Sequence, residues 1–306
     1  MAKDSRPRLP DFIAVGPPRT ATTWLDRVLT GHVGLPRGVK ETHFFGNRYS
    51  NGLDWYLEHF RDCPEGLPIG EVCPSYFDSV HARQRIAQHI PHCKIICTLR
   101  DPVKWLYSFY RLMRRAGRIK VSMEEAVEKH YDLIWSRTRF AFLTAWWQAT
   151  FGRDNVLVLI IDDLESDPQR FLDRVCDFIG IASFPLDPSA ARGDGANLIT
   201  HAPKSKRMAQ NAYHFMEWLR ERRMYRTMDL LERAGVWRYC LERGEKFMPL
   251  EPVFEARLRE LLRPEVYALE CLLERDLSAW KYPRASVDPS DGRKETQSRD
   301  WQLRQR

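Results

Sequence analysis

The chain has 306 residues, a net charge of +7 and 43% hydrophobic residues, which suits a globular protein with a sizeable core and excludes a disordered or fibrous one. Its seven cysteines are odd in number, irregularly spaced and free of any C-x-x-C pair, which argues against a disulfide framework and for a reducing, cytoplasmic setting. No run of about 18 apolar residues occurs and the first twelve residues lack an apolar leader core, so neither a transmembrane helix nor a signal peptide is expected.

In chain order, the first element is a short apolar run, residues 12–15, that meets a Gly16-Pro17-Pro18 turn. Arg19 and the hydroxyls of Thr20, Thr22 and Thr23 follow, and a helix is predicted over residues 22–30. A strand, a tight loop and a helix N-terminus make an anion site, because backbone N–H groups and the helix dipole point at the ligand. The loop is not a Walker A motif: Ala21 stands at its second glycine and Thr22 at its lysine, which argues against a magnesium-nucleotide hydrolase. Residues 82–89 read as helix, and residues 93–99 as a strand buried on both faces. Arg100 closes that strand, and Asp101-Pro102 opens a helix predicted over residues 103–116, with Ser108 about two turns inside it. Further helices are predicted over residues 123–150, with a break, and 168–179. A third strand is predicted at 156–161.

This alternation predicts an α/β fold with a central parallel sheet flanked by helices. Ligands of such sheets bind beyond the carboxyl ends of the strands, so Arg19 and Arg100 are expected to face one crevice. From about Lys204 onward the pattern is helical, with predicted helices at 206–234, 251–262 and 264–277. The expected organisation is one domain over residues 1–281 and a polar tail over 282–306. The positive charge is local: residues 100–120 hold Arg100, Lys104, Arg111, Arg114, Arg115, Arg118 and Lys120 against Asp101 alone. Nucleic acid is a competing reading of such a patch, but no helix-turn-helix, zinc-finger or RNA-recognition pattern accompanies it, and no nucleic-acid partner is expected. His89, His92, Cys93 and Cys97 read as a turn and a buried strand rather than a metal cluster.

Residues 16–24 resemble the 5′-phosphosulfate loop of sulfotransferases that use 3′-phosphoadenosine 5′-phosphosulfate (PAPS), with Arg19 for the usual lysine and Ala21 for the usual glycine. The segment from Arg100 to Ser108 is similar to the family's R-D-P signature for the 3′-phosphate. The resemblance extends over residues 12–280, and it implies a P-loop-like fold, PAPS as sulfuryl donor and no required metal. By it, Arg19, Thr20, Ala21, Thr22, Thr23, Trp24, Arg100 and Ser108 would hold the nucleotide, with Arg192-Gly193 as a late loop over it. Residues 156–165 resemble the family's third strand, which ends near E-D-L. Golgi members carry a membrane anchor that this chain is not expected to have.

On the acceptor side, Glu41 and His43 are two residues apart, so an extended chain would project both to one side, with Phe44 and Phe45 packed beneath. A carboxylate beside an imidazole can serve as a base pair. The segment resembles E-x-H-F-F of glycan sulfotransferases, including the heparan sulfate 3-O type, which implies Glu41 as base and His43 as its helper. Arg19 would stabilise charge on the leaving phosphate. Glu71 to Phe77 is similar to E-K-[ST]-P-x-Y-F of that branch, with Val72 in place of its lysine, which points to an altered acceptor or altered leaving-group stabilisation. Trp55 and Tyr56 are candidates to line the acceptor cleft, whereas Trp146 and Trp147 read as core. The expected activity is sulfuryl transfer to a hydroxyl of a small molecule, lipid or sugar. A kinase of related fold and a non-catalytic polyanion binder are the alternatives. The acceptor's identity and the oligomeric state are not encoded in any segment.

Overall fold

The protein's structure, a computed structural model, describes residues 8–129, 132–187, 199–222 and 224–282. Four strands, β1 (Phe12–Ala14), β2 (Gly70–Val72), β3 (Lys94–Leu99) and β4 (Val156–Ile160), form one parallel sheet in the order β2-β1-β3-β4. Ile13 pairs with Glu71 on one side and Ile95 on the other. The predicted strands are present; β2 is the strand the sequence concealed, because it is only three residues long and carries a buried carboxylate.

The sheet's alternation sorts its side chains into two cores. Ile13, Val15, Ile95 and Cys97 face α4 (Pro102–Arg115), α7 (Phe140–Phe151) and α13 (Pro252–Leu273). Phe12, Ala14, Val72 and Ile96 face α1 (Thr22–Leu29) and α9 (Pro168–Ile179). Between these lie α2 (Leu53–Leu57), α3 (Val80–His89), α5 (Met123–Glu128), α6 (Asp132–Trp135) and α8 (Ile161–Ser166). The long helical pattern from residue 123 is therefore broken, as expected. A helical layer follows, with α10 (Lys206–Glu221), α11 (Tyr225–Arg233) and α12 (Val236–Leu241) around a small core of Ala209, Ala212 and Leu241, and α14 (Ser278–Lys281) ends the described chain.

Two predicted boundaries are corrected. The helix expected over 206–234 divides into α10, which ends at Glu221, and α11, which begins at Tyr225. The helices expected at 251–262 and 264–277 are one, α13, which runs through Pro264. A proline removes one helical hydrogen bond, but Phe254, Leu258, Leu262, Val266 and Leu269 form an unbroken buried stripe across it, and that packing keeps the helix continuous.

The chain leaves β1 for β2 on one side of the sheet and returns to β3 on the other, so the topological switch lies between β1 and β3. Gly16 is obligatory there: a Cβ would stand 2.3 Å from the Thr98 backbone nitrogen of β3.

Candidate active site

The loop between β1 and α1 is fixed from three directions. The Thr20 hydroxyl, fully buried, donates to the Pro17 carbonyl at 2.6 Å and shares a 2.7 Å hydrogen bond with Thr98 Oγ1 on β3. Trp105 Nε1 on α4 donates to the Pro18 carbonyl at 2.7 Å. Arg19 Nε donates to Ser108 Oγ, also on α4, at 3.0 Å. Arg19 (φ 73°) and Ala21 (φ 59°) both sit in the left-handed region, which a Cβ disfavours. The conformation at Ala21 explains why glycine suits that position.

The two signature segments thus meet through Arg19 and Ser108. Burial, together with the nearby guanidiniums of Arg115, Arg100 and Arg111, lowers the pKa of Arg19 to about 10. Such convergence of cations is strained until an anion enters it. Arg111 Nε is buried with no hydrogen-bond partner among the described residues. The charge and this unsatisfied donor therefore both fit a phosphorylated nucleotide. Asp101 caps α4, accepting from the Val103 amide at 2.9 Å, and is itself held by buried Arg259 of α13 at 3.1 Å. The long C-terminal helix thereby fixes the turn that carries Arg100.

Not every side chain of the expected donor residues points into the crevice. Trp24 is buried edge-on against Phe171, so its side chain belongs to the core, where its indole packs against α9. The Thr20 hydroxyl is engaged in holding the loop. Thr22 and Thr23 face Lys40, whose Nζ lies 3.4 Å from each hydroxyl. Arg192 and Gly193 lie outside the described residues, as do residues 283–306 of the expected tail. Asp162 and Asp163, in the third family-like segment, bind Trp280 Nε1 and Arg275 and so dock the end of the described chain.

The acceptor segment is not extended: His43 has φ 55°, and residues 40–43 form no strand. Glu41 and His43 nevertheless meet, with Glu41 Oε2 3.6 Å from His43 Nε2. Lys40 Nζ lies 3.1 Å from Glu41 Oε1, so one ammonium touches both the donor-loop hydroxyls and the carboxylate. Lys40 is not among the residues the sequence marks for the site, although its adjacency to Glu41 is a signal for it. His43 Nδ1 faces Ser75 Oγ at 2.9 Å and Cys73 Sγ at 3.7 Å. Burial lowers the His43 pKa, against the opposing pull of Glu41, and so favours the neutral ring. Glu217 of α10 accepts from Arg48 at 2.9 Å and Arg220 at 2.6 Å, and all three act electrostatically on His43.

Beneath this segment lies fully buried Glu71. Its carboxyl accepts from the Thr42 amide at 2.8 Å, the Thr42 hydroxyl at 2.6 Å and Tyr56 OH at 3.0 Å. Burial outweighs these donors and raises its pKa to about 7. Tyr56 is thus a core residue rather than a cleft residue, stacked on Phe44. Val72, alternate to Glu71, points into the opposite core. Next to Lys40 opens a cavity of about 530 Å³ lined in part by Asp26, His59 and Asp62. A second, of about 580 Å³, shares His59 and Asp62 and reaches Tyr225 and Asp229.

Residues 9–228 match the family model of the sulfotransferase domain. Bifunctional heparan sulfate N-deacetylase/N-sulfotransferase 4 of Mus musculus is 29% identical over 197 residues, which is 56% of this chain and 22% of that protein. The corresponding Drosophila melanogaster protein is 33% identical over 133 residues, or 36% of this chain and 12% of that one. The chain therefore spans less than a quarter of the length of these relatives. A sulfotransferase structure from Alicyclobacillus acidocaldarius superposes with a TM-score of 0.61 at 23% identity, covering 90% of this chain and 99% of that one, and so shares the fold. With its parallel sheet, its paired anion segments and a family match across most of its length, the chain belongs to the sulfotransferase domain family.

Proposed function

We propose that this chain transfers a sulfuryl group from PAPS to a hydroxyl or amine of its acceptor, with Glu41 as the base. The observation that carries the reading is Lys40, whose ammonium lies within 3.4 Å of Thr22, Thr23 and Glu41 together. It joins the donor loop to a carboxylate that can take the acceptor proton. Neutral His43 orients Glu41 and the acceptor. Arg19 and Lys40, with the N-terminus of α1, are placed to stabilise negative charge on the leaving phosphate. Arg100 and Ser108, with Arg111, hold the 3′-phosphate. No step in this scheme calls on a metal. The adjoining cavities, with Asp26, Asp62 and Asp229 in their walls, suit an acceptor bearing hydrogen-bond donors or an amine. We further propose a single catalytic domain over residues 1–281 and a cytoplasmic setting. The latter is supported by seven cysteines that are all free thiols, and among the described residues no helix is long and apolar enough to cross a membrane.

The test is calorimetric binding of adenosine 3′,5′-bisphosphate against ATP with magnesium. Tight, metal-independent binding of the bisphosphate is expected. Preference for ATP with magnesium would establish the kinase alternative instead. Binding of neither nucleotide would leave a polyanion-binding surface, read as salt-sensitive binding that survives loss of Glu41.

A further inference from the structure

The acceptor side contains a third reactive group that the transfer does not use. Cys73 follows β2 at the position where the similar glycan motif has serine or threonine, and it is fully buried with its sulfur 3.7 Å from His43 Nδ1. One oxygen of Glu41, one ring nitrogen of His43 and the sulfur of Cys73 all lie within 4.8 Å of one another. A tetrahedral zinc ion, with bonds of about 2.0–2.3 Å, needs ligand atoms separated by roughly 3.3–3.8 Å. The 3.7 Å between His43 Nδ1 and Cys73 Sγ already meets this. Glu41 lies toward the other ring nitrogen, with Oε2 3.6 Å from Nε2, so its carboxylate must swing round the ring edge to join Nδ1 and the sulfur; the three side chains already bring one ligand atom each within 4.8 Å.

We propose that Glu41, His43 and Cys73 form a binding site for a thiophilic divalent cation of the zinc class. Carboxylate, neutral imidazole and thiolate balance the ion's two charges, and the combination is one that zinc and cadmium prefer over magnesium or calcium. As the sulfur–metal bond forms, the thiol proton passes to water. Ser75 Oγ, 3.3 Å from Cys73 Sγ, stands ready to hydrogen-bond the thiolate. Three protein ligands leave a fourth position for water. The ion takes both groups of the acceptor side, so its binding blocks transfer while leaving the nucleotide crevice open. Binding rests on the ligand geometry alone; the inhibition rests on the role proposed for Glu41.

The full chain, free of nucleotide and kept reduced, is titrated with cadmium, and the thiolate-to-metal charge-transfer absorption is read in the ultraviolet. A band that saturates at one ion per chain, is lost in Cys73→Ser and weakens at least tenfold in affinity in His43→Ala supports the site. Retention of adenosine 3′,5′-bisphosphate binding by each variant verifies its fold. X-ray absorption of the wild-type protein with one equivalent of zinc provides a reading without substitution: a shell of one sulfur and two or three lighter atoms is expected. A shell without sulfur or with several sulfurs overturns the site, as does a band that Cys73→Ser leaves intact. Zinc inhibition of turnover that is relieved by chelator and blunted at least tenfold in Cys73→Ser supports its consequence. Metal capture without inhibition keeps the site and rejects Glu41 as the base.

Discussion

The donor loop and the acceptor segment enter the same crevice, and they are held in opposite ways. The donor loop is tied by short polar contacts to β3 and α4, namely Thr20 to Thr98, Pro18 to Trp105 and Arg19 to Ser108. Each partner lies in or beside the second signature segment. The acceptor segment has no strand or helix of its own. It is held chiefly by one buried carboxyl, Glu71, which binds both the amide and hydroxyl of Thr42, between Glu41 and His43, with His43 Nδ1 against Ser75 Oγ and the Phe45 amide donating to Tyr76 OH on either side. The donor side is therefore tied at several independent points of β3 and α4, whereas the acceptor side is centred on one buried ionisable group. Nucleotide recognition and transfer are accordingly expected to separate under mutation.

The sharpest way to break this comparison is Glu41→Gln. Turnover is expected to fall about 10²–10⁴-fold, as for loss of a general base, with bisphosphate affinity unchanged by calorimetry. Undiminished turnover would remove Glu41 from the chemistry and leave the acceptor side without its defining group. Arg100→Ala probes the other side. It should weaken the 3′-phosphorylated nucleotide about 10–100-fold, the worth of one charge-assisted contact, and hardly affect a nucleotide lacking that phosphate. Equal weakening of both would mean that Arg100 does not read the 3′ position.

The anchor itself carries a pH signature. Glu71 has a pKa of about 7 in the folded chain against 4.5 for the free side chain. Between those values the folded state holds a proton that the unfolded state has lost. Stability from this group is therefore full below about pH 4.5 and lost as pH rises through 7. Relative to Glu71→Gln, the wild-type chain should lose on the order of 2 kcal/mol between pH 5 and 8 in urea unfolding. Parallel pH profiles for the two proteins would show that Glu71 is ionised throughout. The smallest effect belongs to the donor loop. Ala21→Gly relieves a left-handed residue worth about 1–2 kcal/mol, but glycine's greater freedom in the unfolded chain returns about 0.4–1 kcal/mol. A net gain of about 0.5 kcal/mol is expected, with nucleotide affinity retained. A loss of stability would mean that the loop does not hold Ala21 in that conformation.

What the sequence determined by itself was local. Apolar runs ending in a tight turn, an arginine or an acidic pair marked three of the four strands, the donor loop and the R-D-P cap, because strand burial, helix capping and loop chemistry act within a few residues. The closeness of Glu41 and His43 was also legible, though for a different reason from the one expected: the turn at His43, rather than an extended strand, brings them together. Tertiary structure alone decided the rest. Strand β2 was hidden because three residues containing Glu71 show no apolar period, and only the four donors around that carboxyl permit its burial. The continuity of α13 through Pro264 was settled by its buried stripe, and the burial of the Trp24 side chain and the Thr20 hydroxyl by what packs against them. Lys40 bridges donor loop and carboxylate, and Cys73 meets His43, only because residues 17 to 30 positions apart are folded onto one sheet edge, a distance over which sequence pattern carries no signal but hydrogen bonding and burial do.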